Sequence, residues 1–172
     1  NKRVVLVAAP HQSGKDEYLM ILIILALDVD VCYLSAKWTM RRIPNPFEKS
    51  KDIDDQGIKW PLGWLQEIIF RKFGAIPVDR KGNSGQYDSV IEELKKRDSF
   101  LLIVTPEGRF DATRFRTSFL FIAKELNAEV MPVQIDYENE IFNILESFNI
   151  EGDTESVVKN LRLKFDGIKG KR

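Results

Sequence analysis

The sequence predicts a single α/β domain, a largely parallel central sheet flanked by helices. Three observations lead there. Short apolar runs rich in β-branched residues, such as "VVLVAA" and "LLIV", alternate with segments of helical period. The strand-like runs are apolar throughout, as in strands buried on both faces. Gly, Pro and charged residues collect where those runs end, the place where an open α/β sheet keeps its chemistry.

Taken in order, Val4 to Ala9 reads as a fully buried strand ending in Ala-Pro. Asp16 to Leu27 follows as a helix that is apolar on nearly every side, suited to burial on two faces or to an apolar surface. "VDVCYLSA" is a second buried strand. Residues 41–59 carry two prolines and many charges and read as an inserted exposed loop, a lid or a partner contact. In "PLGWLQEIIFRKF", Leu62, Leu65, Ile68, Ile69 and Phe73 have the spacing of an amphipathic helix. "GAIPV" is a short strand that Gly74 lets the chain turn into, Tyr87 to Arg97 an amphipathic helix, "SFLLIVTPEG" a buried strand running into a turn, and Thr117 to Leu126 a helix. "EVMPVQI" is the last expected strand, followed by helices near Glu138 to Phe148 and Thr154 to Phe165.

Composition narrows the function. The 172 residues, 44% of them hydrophobic, suffice for one sizeable core. Lys plus Arg equals Asp plus Glu at 26 each, so no global field draws the chain to nucleic acid, and none is expected as a partner. Cys32, the lone cysteine, sits in an apolar run, reads as a packing residue and fits a reducing, cytoplasmic compartment. The longest apolar run, Leu19 to Leu27, is about half a bilayer span. The chain opens "NKRVV", directly at a strand and without methionine, which leaves room for a preceding anchor or signal segment.

Three strand ends carry unusual polar residues: "APHQSGKD", "GAIPVDRKG" and "TPEGRF". His11 is the only histidine, so any imidazole base must be this residue. With His11 in the turn and Asp16 in the first turn of the next helix, the carboxylate can accept the imidazole N–H and fix its tautomer. Taken alone, a turn-capping His and an Asp favouring a helix dipole explain the pair as well. Arg80 follows a strand and offers a planar fork of donors to a phosphate, although a solvated surface Arg fits too. Glu107 and Gly108 follow a buried strand, where glycine lets backbone N–H groups approach a ligand and where a plain β-turn looks similar.

In combination these blocks are more specific. "HQSGKD" (11–16), "GAIPVDR" (74–80), "TPEG" (105–108) and "VMPV" (130–133), in that order, resemble the glycerolipid acyltransferases, most closely the 1-acylglycerol-3-phosphate acyltransferase family. Similarity extends into "KWPLGWL", "FRTSF" and "FIAKE" and so covers most of residues 4–136. The resemblance implies a glycerolipid acyltransferase-like domain that moves a fatty acyl group from acyl-CoA or acyl carrier protein to a hydroxyl of a lysophospholipid-like acceptor. It implies His11 as general base, Asp16 as its orienter, Arg80 on the acceptor phosphate, and Glu107 and Gly108 placing the acceptor. No metal or bound cofactor is implied, since the acyl thioester is a substrate. A peripheral place at the cytoplasmic face of a membrane fits such substrates, with the helix around Trp60 to Phe73 lining an acyl tunnel or touching the bilayer and Arg71 and Lys72 near headgroups.

The chain departs from the family pattern after Pro-Glu-Gly. Arg109 and Phe110 stand where Thr or Ser and then Arg are usual, and Phe115-Arg116-Thr117-Ser118 replaces Phe-Lys-x-Gly. Arg109, Arg114 and Arg116 are therefore candidate substitutes for the missing phosphate contacts. Two rivals are a catalytically silent lipid or acyl-carrier binding module, and a P-loop read as Ala9-x-x-x-x-Gly14-Lys15. The P-loop reading puts Asp16 where Ser or Thr should hold magnesium and Thr105 where a strand-ending Asp is expected. Asp136 is a partial substitute, on a strand that Pro132 is expected to interrupt.

Overall fold

A computed structural model describes residues 2–10, 30–43, 58–78, 87–107 and 115–169. Its described elements are β1 (Arg3–Ala9), β2 (Val31–Ala36), a 3-10 turn (Lys37–Met40), β3 (Arg42–Ile43), β4 (Ile58–Lys59), α1 (Gly63–Lys72), β5 (Ala75–Val78), α2 (Asp88–Lys95), β6 (Phe100–Val104), α3 (Ser118–Glu125), β7 (Glu129–Asp136), β8 (Ile141–Ile144) and α4 (Thr154–Phe165). Six strands form one sheet in the order β5-β2-β6-β1-β7-β8, and β3 and β4 form a separate two-stranded ladder. Within the large sheet β5, β2, β6, β1 and β7 are mutually parallel, and only β8 is antiparallel. The expected largely parallel α/β sheet is therefore present.

The apolar strand runs follow from burial on both faces. Along β1, Val5 and Val7 point into a core with Val90, Ile91 and Leu94 of α2, Phe119, Leu120 and Ile122 of α3, and Val157 and Leu161 of α4. Val4, Leu6 and Ala8 alternate into a second buried cluster with Val31, Leu101, Ile103, Val133 and Ile135. The steps from β5 to β6 and from β6 to β7 run in the same direction along the sheet. Right-handed crossovers then put α2 and α3 on the same face, as found. Asp153 caps α4, its side chain accepting from the Ser156 N–H at 2.9 Å.

Three expectations need correction. The expected helix near Glu138 to Phe148 is a turn followed by β8. Asp136 makes the turn: its carboxylate accepts from the backbone N–H of Glu138 at 3.0 Å and of Asn139 at 3.2 Å, and from Asn139 Nδ2 at 2.8 Å. "IFNI" then suits an edge strand. Second, Pro132 does not interrupt β7, which runs unbroken from Glu129 to Asp136. The Pro132 carbonyl accepts from Leu145 N–H at 2.9 Å, one residue past the end of β8, so the missing donor falls where that ladder has ended.

The third correction concerns residues 41–59, which are not loop throughout. Arg42 pairs with Lys59 and Ile43 with Ile58, so the segment between them starts and finishes at the same place. Residues 44–57 themselves, and the expected helix Asp16 to Leu27, lie outside the described residues.

Candidate active site

Parallel strands send all their C-terminal ends to one edge of a sheet, and the register shows which residues share that edge. Val7 of β1 pairs with Val104 of β6, and Leu6 with Ile103. Tyr33 of β2 also pairs with Ile103, and Ala36 pairs with Val78 of β5. Ala9, Ala36, Val78 and Gln134 therefore stand at one level across the sheet. His11 follows Ala9 by two residues, Arg80 follows Val78 by two, and Glu107 follows Val104 by three. β1 and β6 are neighbours, while β5 lies three strand spacings from β1, about 14 Å at ~4.8 Å per strand. The strands that precede His11, Arg80 and Glu107 in the sequence, β1, β5 and β6, thus end at a single edge.

Of the site residues expected from sequence, Glu107 is described; it is half-buried just beyond the buried Pro106. His11, Asp16, Arg80, Gly108 and Arg109 lie outside the described residues, as does Arg114. Arg116, the remaining substitute, is exposed, and its backbone N–H donates to the Pro106 carbonyl at 2.7 Å. That bond joins "TPEG" to "FRTSF", so the third block and the start of α3 meet at the sheet edge. Phe115 anchors the return, edge-on to Phe119 at 6.1 Å between centroids and with the Arg162 guanidinium 5.5 Å from its ring centre.

Gly74, in the second block, has φ +84°. A Cβ there would stand 2.1 Å from the Val31 carbonyl oxygen. Only glycine fits, and it lets α1 turn directly into β5, as the sequence implied. Cys32 is buried, its Sγ 3.7 Å from the Leu101 carbonyl oxygen, and burial pushes its thiol up to about 12. It is a packing residue and no nucleophile.

Sequence reasoning missed a second feature of this edge. A groove of about 830 Å³ is lined by Lys37 and Met40 just past β2, Pro77 near the end of β5, Arg41, Arg42, Lys59 and Trp60 around the small ladder, and Trp64, Glu67 and Arg71 of α1. Glu67 accepts from Arg41 Nε and from Arg71 Nε and Nη2 at 3.0 and 2.9 Å. Those guanidiniums, Arg41 first, hold its carboxyl below the usual range. The only signal was "MRR" and "IK" at the two ends of the charged segment, and charge alone did not say that these ends pair.

Residues 58–136 match the family model described as Acyltransferase. This stretch is similar to the acyltransferase family. The acyltransferase match holds three of the four blocks, "GAIPVDR", "TPEG" and "VMPV", and begins at Ile58, the first residue of β4. "HQSGKD" precedes it. No curated protein and no solved structure matches the chain. Among the described residues, no cluster of His, Cys, Asp and Glu has the grouping to hold a metal ion. Asp136, the P-loop reading's substitute for a magnesium ligand, spends both carboxylate oxygens on its own turn.

Proposed function

We propose that the chain transfers a fatty acyl group from acyl-CoA or acyl carrier protein to a hydroxyl of a lysophospholipid-like acceptor such as 1-acylglycerol-3-phosphate. The setting would be phospholipid biosynthesis, with the protein peripheral at the cytoplasmic face of a membrane. The observation that supports this reading is the register: within and just before an acyltransferase match, β1, β5 and β6, which precede His11, Arg80 and Glu107 in the sequence, end at one edge of a parallel sheet at nearly one level.

In this reading His11 takes the proton of the acceptor hydroxyl while Asp16 accepts the other imidazole N–H and stabilises the cation that forms. The alkoxide attacks the thioester carbonyl, the tetrahedral intermediate collapses with loss of thiolate, and His11 returns its proton to that sulfur. A thioester is already activated, so positioning and oxyanion stabilisation supply most of the rate. Arg80 grips the acceptor phosphate, Glu107 and Gly108 help place the acceptor, and Arg109 and Arg116 stand near the altered third block. The chemistry requires neither metal nor cofactor.

The test is release of free thiol from acyl-CoA and acyl-carrier donors against a panel of lyso-acceptors. Acceptor-dependent release, with Arg80→Ala raising acceptor KM more than donor KM, supports the reading. Tight binding of lipid or carrier with no release on any acceptor would make the chain a silent binding module instead.

A further inference from the structure

α1 is turned the wrong way round for a helix that serves the core. At 100° per residue, Gly63, Gln66, Glu67 and Phe70 share one side, and these are its buried or half-buried positions. Trp64, Leu65, Ile68, Ile69 and Lys72 occupy the opposite arc and face solvent. Trp64 is 56% exposed, and Leu65, Ile68 and Ile69 are between 38% and 46%. Polar contacts fix this orientation. Gln66 accepts from Trp60 Nε1 at 2.9 Å and donates to the Arg42 carbonyl at 3.1 Å, and Glu67 holds Arg41. A Cβ on Gly63 would stand 2.6 Å from the Arg41 carbonyl oxygen, so the helix sits hard against the small ladder. Large apolar side chains held outward by a polar seam mark a surface with an occupant.

We propose that this arc and the groove beside it form a docking surface for the anionic face of a phospholipid bilayer. Charge selects that occupant. Among the described residues, Lys37, Arg41, Arg42, Lys59 and Arg71 line the groove against the single carboxylate of Glu67, and Lys37 and Lys59 have no ion-pair partner there. A second copy docking through the same face would bring this cationic cluster near its own image. A sheet of phosphates complements it, each nearby cation adding to the attraction. Trp64 belongs to both groove and arc, which suits an indole at the boundary between headgroups and acyl chains. Lys72, in the middle of the arc, can lay its stem along the apolar layer and lift its ammonium to the phosphates. Because the groove begins at the ends of β2 and β5, docking turns the candidate active edge towards the bilayer. The inference rests on the peripheral-membrane part of the proposed function and not on its chemistry.

Flotation of the full chain with vesicles of phosphatidylcholine alone, and of phosphatidylcholine with a third phosphatidylglycerol, tests it. Binding is expected to the anionic vesicles only and to weaken with salt. Lys59→Glu should reduce it at least about fivefold, and Ile68→Asp with Ile69→Asp at least about tenfold. Unchanged melting curves would show that both variants fold. Inorganic phosphate at millimolar concentration should leave vesicle binding in place. Equal binding to neutral vesicles, binding to neither, full binding by the Asp variant, or displacement by inorganic phosphate would overturn the proposal. So would dimerisation without vesicles that the Asp variant abolishes. Acyl transfer to a short-chain, water-soluble acceptor separates the two ideas: transfer without docking removes this surface alone, and docking without transfer removes the reaction alone.

Discussion

Gly74 carries more of the fold than its size suggests. Its φ of +84° and the 2.1 Å that would separate an added Cβ from the Val31 carbonyl oxygen set strain and clash against any substitution. Gly74→Ala is expected to destabilise the domain by about 1–3 kcal/mol, read as a lower midpoint in urea. Cys32 should stay unreactive towards a thiol reagent until the chain unfolds, since burial raises its thiol to about 12. Fast modification under native conditions would contradict that assignment. Both residues were legible in the sequence because each obeys a local rule: glycine before a strand, cysteine in an apolar run. Pro132 was not, because whether proline interrupts a strand depends on the neighbouring strand, and β8 ends one residue short of needing its donor.

At the scale of elements, periodicity found α1 but did not fix its direction. Spacing gives an apolar arc, but which side faces the protein was decided by Gln66, Glu67 and Gly63 meeting a ladder that composition had hidden inside a charged loop. The same limit applies to residues 138–148, where the Asp136 carboxylate, by holding Asn139 and Glu138, outweighs helical spacing. Asp136→Ala should lower stability and loosen β8 first, seen as faster amide exchange from Ile141 to Ile144. The hydrogen bonds that stabilise the carboxylate, led by the Asn139 side chain, lower its folded pKa. Its stabilisation is therefore complete above the ordinary carboxylate range and is lost as pH falls through the lowered folded value. The Asp136→Ala difference should persist to mildly acid pH and vanish only in stronger acid. A difference already gone at the ordinary carboxylate pKa would contradict that ordering.

For the whole molecule, the order β5-β2-β6-β1-β7-β8 brings the C-terminal ends of the strands that precede the sequence blocks to a common edge. Ala9 and Val78, some seventy residues apart in the chain, end their strands at one level only because parallel strands share an edge, Tyr33 and Leu6 both pair with Ile103, and Ala36 pairs with Val78. The alternation of strand and helix made the fold class legible. Strand order was not legible, since β6 enters between β2 and β1 by a long-range pairing that no local pattern records. Nor was the cationic groove, which needs both ends of residues 41–59 brought together.

The central claim is that His11 is the base of an acyl transfer at this edge. It is tested most directly by comparing thiol release from acyl-CoA by wild type and His11→Ala in the presence of a lysophosphatidic acceptor. The account predicts acceptor-dependent release by wild type and at least about a hundredfold loss in the variant, with an unchanged melting curve. Near-equal release by the two proteins would contradict it.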